Sequence, residues 1–96
     1  MEQYRHEIGG TNYLIRFAHL KNHRGDCTRP TVKRPEIRIR VGLPAEQLLE
    51  VILHECLHAS NFTLLSEEWV EQTAVDLSSL LTKMGYKRDA EKSMDN

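Results

Sequence analysis

Cysteine and long apolar segments are scarce in this chain of 96 residues, and each absence excludes a class of protein. Two cysteines are too few for a disulfide framework, which indicates a reducing, cytoplasmic setting. No apolar run approaches the roughly 20 residues of a transmembrane helix, and the N-terminus lacks the apolar segment of a signal peptide. We therefore expect one small cytoplasmic domain with no membrane partner.

Positive charge is concentrated in one part of the chain, although the formal net charge is only −1. Residues 21–40 contain seven basic and two acidic side chains, whereas residues 41–96 contain ten acidic and four basic ones. Such a basic segment can bind nucleic acid, but it is more often a solvated loop and strand. We favour the second interpretation and keep nucleic acid as an alternative partner.

Three strands are predicted in the first half of the chain. Gln3–Ile8 and Asn12–Ala18 flank the pair Gly9-Gly10, which is typical of a two-residue hairpin turn. Residues 21–35 are polar and rich in breakers, which indicates a long loop. Glu36–Val41 alternates strictly between apolar and charged residues, and its charged face predicts an edge strand or an exposed groove.

Two helices are predicted after the strands. The first should run from Pro44 to Ser60, because proline is favoured at the first helical position. The second should run from Ser66 or Glu67 to Met84, with Ser66 as N-cap. The expected fold is α+β: a three-stranded, mostly antiparallel sheet packed on two antiparallel helices. Residues 1–85 should form this domain, and residues 86–96 should form a charged, flexible tail.

The first helix carries the pattern H-E-x-x-H at His54, Glu55 and His58. Residues four apart leave a helix on the same side, so both imidazoles can bind one metal ion. Glu55 projects about 100° further round the helix, where its carboxylate can act as a general base. The histidines lie on a polar stripe opposite the apolar one, which argues against structural core histidines. Zinc metallopeptidases use this arrangement to activate a water.

A catalytic zinc ion needs a third protein ligand, which the second helix should supply. In an antiparallel pair, about residues 68–72 lie opposite the two histidines, and the acidic candidates in or next to that range are Glu67, Glu68 and Glu71. Glu71 is favoured because it lies deeper in the helix and beside the stripe that faces the first helix. Glu68, Glu67, Asp76 and the remaining histidines stay open as alternatives.

Several other side chains have no decisive pattern. His23 and Cys27 of the long loop could reach the metal, with Cys27 as a removable fourth ligand. Cys56 lies on the apolar stripe and is expected in the core. Four further residues could stabilise an oxyanion: Tyr13, Arg38, Arg40 and Tyr86.

The order of strand, proline-initiated helix with His54-Glu55-Cys56-Leu57-His58, short loop and acidic second helix resembles the minimal gluzincin metallopeptidases. Within that group the chain is most similar to small phage- and prophage-encoded zinc peptidases, and more distantly to ImmA/IrrE and SprT-like domains. The likeness covers about residues 36–85. It implies a zincin-like fold, bound Zn²⁺ and a peptide or protein substrate. In these families a Glu followed three residues later by Ala supplies the third ligand, which the resemblance places at Glu71, before Ala74.

We therefore expect a zinc metallopeptidase in which His54, His58 and Glu71 bind Zn²⁺. Glu55 would be the catalytic base that assists attack of a zinc-bound water on a peptide bond. A domain this small offers little wall for a cleft, so the strand Glu36–Val41 would bind the substrate by strand addition. The alternatives are a zinc-stabilised module without proteolytic activity and a protein that binds nucleic acid through residues 21–40.

Overall fold

The computed structural model describes residues 2–86. The first element is a β-hairpin. Strands β1 (Gln3–Ile8) and β2 (Thr11–Ala18) pair antiparallel. Gly9 and Gly10 join them with φ angles of 58° and 83°, the left-handed conformation that a two-residue hairpin turn requires. The predicted hairpin is confirmed.

Strands β3 (Gly25–Cys27) and β4 (Glu36–Arg40) complete a four-stranded sheet in the order β1-β2-β4-β3. β4 runs parallel to β2 and antiparallel to β3. The prediction of three strands was therefore one strand short, and the sheet is mixed. Of the two interpretations of the charged face of Glu36–Val41, the edge strand was wrong, because β2 and β3 cover both edges of β4.

The helices are α1 (Ala45–Ser60) and α2 (Glu67–Lys83), within one residue of the predicted bounds. Ser66 caps α2, since its hydroxyl oxygen accepts a hydrogen bond from the backbone N–H of Trp69 at 3.1 Å. The α+β fold class is thus confirmed, with the sheet differing in its strand number and pairing.

The hydrophobic core lies between the sheet and α1. The alternation of β4 directs Ile37 and Ile39 into it, with exposed fractions of 0% and 1%. The buried residues of this core come from β2, β4 and α1: Tyr13, Phe17, Ile37, Ile39, Leu48, Val51 and Ala59. α1 is therefore the element on which the sheet is folded.

α2 packs on α1 and contacts none of the strands that the structure describes. Glu46 and Glu50 at the start of α1 share a groove with Ser79 and Lys83 near the end of α2, so the helices are antiparallel as predicted. The buried residues of α2 lie four apart in one line: Val70, Ala74 and Ser78. The order of layers is sheet, α1, α2.

The end of the chain lies largely outside the described residues. Of the predicted tail, residues 86–96, only Tyr86 is described, and its side chain is 61% exposed. Gly85, with a φ of 91°, follows the end of α2 as predicted. Neither helix of the described part is long and apolar enough to cross a bilayer.

Candidate metal centre

A cavity of about 390 Å³ opens between β3, α1 and the start of α2. Nine residues line it: Gly25, Asp26, Cys27, His54, Glu55, His58, Phe62, Leu65 and Glu67. All three residues of the H-E-x-x-H pattern are among them. The helix face that carries this pattern is thus turned toward a space between elements and not into the core.

Two histidines and one glutamate converge at this cavity. Nε2 of His54 lies 3.0 Å from Oε1 of Glu67, and Nε2 of His58 lies 2.6 Å from Oε2 of the same carboxylate. One ligand atom from each residue lies within 4.8 Å of the others. Ligand atoms around a tetrahedral zinc ion are roughly 3.3 Å apart, because each bond is about 2 Å long. The group therefore has the donor types of a zinc site and could hold a metal ion, and the 2.6 Å contact between His58 and Glu67 is a hydrogen bond.

The burial of the histidines also suits a metal site. Their side chains are 18% and 17% exposed, which leaves one side of each ring open to the cavity. The ring centroids lie 4.9 Å apart, with the planes inclined by 61°. The two imidazoles therefore direct nitrogen atoms to one point without stacking face to face.

The carboxylate at the histidines belongs to Glu67, the first residue of α2, and not to Glu71, the favoured candidate. Glu71 lies one turn further along α2, is exposed, and is outside the three-residue group. His58 lies only two residues before the end of α1, so the residue at its level across the short connection is the first one of α2. Glu67 is one of the alternatives that the sequence leaves open.

Glu55 is buried beside the histidines and only 6% exposed. Burial, and after it the nearby carboxylates of Asp26 and Glu67, raise the pKa of its carboxyl to about 7. A cation held by the two histidines would oppose this shift, because opposite charge favours the ionised form. In either state the carboxyl is positioned to exchange protons with a group in the cavity.

The approach of β3 to this site depends on Gly25. A Cβ at that position would lie 2.8 Å from Cγ1 of Val51 and 3.2 Å from Cγ of Glu55. A side chain at this position would therefore push the strand away from the helix beside Glu55. From the sequence Gly25 is only a loop breaker, because a three-residue strand shows no periodic signal.

Asp26 forms the rim of the cavity on the β3 side. Nε of Arg38 donates to Oδ1 of Asp26 at 2.9 Å, and a second guanidinium nitrogen donates to Oδ2. Nε2 of His23 lies 2.7 Å from the same Oδ2. The hydrogen bond from Arg38 lowers the pKa of Asp26 most, and His23 adds to it. His23 thus pairs with Asp26 and is not part of the histidine–glutamate group.

The other candidates named from the sequence are outside that group. Cys27 is in the cavity wall, and its thiol donates to the carbonyl oxygen of Thr28 at 3.3 Å. Tyr13 is fully buried in the core between the sheet and α1, and burial raises its pKa to about 12. Cys56 packs against the core, as expected.

Two basic residues of the 21–40 segment form ion pairs with acidic neighbours. Arg38 pairs with Asp26, and Arg24 reaches across to Glu50 of α1 at 3.0 Å. These contacts reduce the unbalanced charge that the segment offers to a polyanion.

Comparisons with models of known protein families, with curated proteins and with solved structures find no match to this chain. The functional interpretation therefore depends on its own side chains. Those are two imidazoles and a carboxylate that could hold a metal ion, with a buried glutamate beside them.

Proposed function

We propose that this protein is a zinc-dependent hydrolase of peptide bonds. His54, His58 and Glu67 would hold the ion, and Glu55 would be the general base. The observation that carries the proposal is the approach of Glu67 to both histidines, at 3.0 and 2.6 Å, beside the buried Glu55. Glu71 stays the alternative third ligand.

The proposed reaction needs only one proton carrier from the chain. When bound, zinc supplies a Lewis acid that polarises a carbonyl oxygen and acidifies a water. Glu55 accepts the proton that the water loses as its oxygen forms a bond to the carbonyl carbon. Glu55 then gives this proton to the departing amine as the carbon–nitrogen bond breaks. The carboxyl returns to its starting state, so one residue performs both transfers.

The outer edge of β3 is the surface on which we place an extended substrate. β3 ends the sheet on the side of the cavity and contributes Gly25, Asp26 and Cys27 to the cavity wall. Backbone groups of an edge strand that face away from the sheet can pair with a peptide. This assignment replaces β4, whose two edges are already paired.

Replacing Glu55 by glutamine tests this proposal. Glu55→Gln keeps the shape of the side chain but removes its ability to take a proton, so we expect hydrolysis to fall by about 10²–10⁴-fold. Turnover is measured on a library of quenched fluorescent peptides, and bound zinc is measured in parallel by mass spectrometry. Unchanged hydrolysis in a variant that still holds zinc would contradict the assigned role of Glu55.

A second candidate function is a zinc-stabilised module without proteolytic activity. It is favoured by the attachment of α2, which contacts no described strand and meets α1 at Glu67. An ion held by both helices would fasten α2 to the fold. In this case zinc would raise the thermal midpoint of unfolding, neither the wild type nor Glu55→Gln would cleave any peptide, and zinc binding would survive in both.

A further inference from the structure

The strand β1 forms the edge of the sheet opposite to the metal centre. Ile8 and Thr11 flank the two-residue turn, and residues in that position bond to each other through their backbones. Tyr4, His6 and Ile8 therefore direct their N–H and C=O groups to β2. Gln3, Arg5 and Glu7 direct theirs outward, where no described strand pairs with them. Such an edge is a template for another strand.

The two faces of β1 differ in chemistry. Tyr4 and His6 lie opposite Ile15 and Tyr13, so they share the sheet face that α1 covers. Arg5 and Glu7 lie on the other face, which no described helix covers. An apolar cleft of about 260 Å³ lies beside Tyr4, on the sheet face that α1 covers, and its walls include Ile15, Ile39 and Ile52.

We propose that β1 pairs antiparallel with β1 of a second copy of this chain, about a two-fold axis at His6. Arg5 then faces Glu7 of the second copy, and the symmetry repeats this ion pair. On the face of α1, Tyr4 faces Ile8 of the second copy at the mouth of the apolar cleft. Two four-stranded sheets become one sheet of eight strands with all of its helices on one face.

The charges of β1 select this register over its neighbours. In an antiparallel pair, residues that direct backbone groups toward the other strand must face each other. The residue that faces a given position can therefore change only in steps of two. One such shift places Arg5 against Arg5 of the second copy, and the opposite shift places Glu7 against Glu7. Like charges directly opposite each other are destabilising. Only the axis at His6 pairs opposite charges.

The predicted interface is small and closed. Five residues of each β1, residues 4–8, pair across the axis and span about 17 Å, which places the contact at the lower end of specific interfaces and indicates a reversible dimer. Because the two-fold contact pairs the β1 edge of one copy with the β1 edge of the other, neither β1 edge stays open and this contact forms no fibre. The metal centre remains accessible, since it lies beside β3 at the far edge of each sheet.

Sedimentation of the full chain at concentrations from about 1 to 500 µM tests the proposal. The mass should rise with concentration from 11.1 kDa toward twice that value. Arg5→Glu and Glu7→Arg should each weaken dimerisation at least tenfold, because like charges then face each other. The double variant exchanges both charges and should restore the wild-type association. Glu46→Arg, the same charge change on the exposed first turn of α1, is the matched control and should have no effect.

A cysteine cross-link tests the register independently. His6→Cys places two thiols at facing positions on the axis, within the reach of a disulfide, so mild oxidation should join position 6 of both copies. Gln3→Cys is the control, because the two copies of position 3 would lie about 20 Å apart. A wild type that stays monomeric at every concentration would overturn the proposal. So would a dimer that both charge variants leave intact, a double variant that does not recover, or a cross-link at position 3.

Discussion

The two helices share the candidate metal centre, but they are held in the protein very differently. α1 is enclosed, with the sheet on one face and α2 on the other. α2 lies on α1 alone and exposes large apolar side chains, including Trp69, Val75 and Leu80 at 49%, 39% and 52%. Residues with few buried contacts open most readily. The proposed general base and two proposed ligands therefore belong to the better-anchored helix, and the proposed third ligand belongs to the less anchored one.

This difference gives the metal a structural consequence as well as a chemical one. Glu67 is the first residue of α2, next to the connection that joins the helices. An ion held by Glu67, His54 and His58 would fix α2 at the point where it meets α1. The loss of the ion should then loosen α2 far more than α1.

A pair of leucine truncations provides the largest expected effect. Leu48 of α1 is 2% exposed in the core, so Leu48→Ala should lower the free energy of unfolding by about 3 kcal/mol. Leu80 of α2 is 52% exposed, and Leu80→Ala should change it by less than about 0.5 kcal/mol. Denaturant unfolding of zinc-loaded protein measures both values. Equal losses would mean that α2 is as well anchored as α1.

Removal of zinc should speed hydrogen exchange in α2 much more than in α1. A chelator should speed amide exchange at least tenfold across the first turns of α2, about 1.4 kcal/mol of lost protection, because only its contact with α1 remains. Amides in the middle of α1 should change much less, since the sheet still covers them. The readout is exchange followed by mass spectrometry of peptides from the two helices. A uniform change in both helices would contradict a local role for the ion.

The cap of α2 gives the smallest predicted effect. Ser66→Ala removes the acceptor of the Trp69 N–H and should cost about 1 kcal/mol of stability. It should also weaken zinc binding slightly, because the cap positions Glu67 next to it. Ser79→Ala, in the exposed interior of the same helix, should be neutral or slightly stabilising. Thermal unfolding of the two variants would refute the role of the cap if both shift by the same amount.

Those parts of the fold whose signals are local could be predicted from the sequence. The hairpin depends on Gly9 and Gly10 between two apolar runs, and β4 on strict alternation. β3 could not be predicted, because three residues carry no period and their pairing with β4 is a tertiary contact. The parallel pairing of β2 and β4 likewise depends on how the intervening loop crosses the sheet.

The same distinction applies to the metal centre. His54, Glu55 and His58 lie within five residues of one helix, so their common direction follows from helix geometry. The proposed third ligand depends on how α2 docks, and helix periodicity places both Glu67 and Glu71 beside the stripe that faces α1. The docking brings Glu67 to the histidines because α2 starts almost immediately after the turn. Helix periodicity alone does not predict how far along α2 the residue opposite the histidines lies.

Zinc affinity of three proteins tests the central claim most directly: wild type, Glu67→Ala and Glu71→Ala. Competition titration with a chromophoric chelator should show about one ion per wild-type chain. The affinity should fall at least ~100-fold in Glu67→Ala, because a direct ligand is lost, and should be unchanged in Glu71→Ala. Full affinity in Glu67→Ala with loss in Glu71→Ala would contradict the observed docking of α2. No bound zinc in the wild type would contradict the metal centre itself.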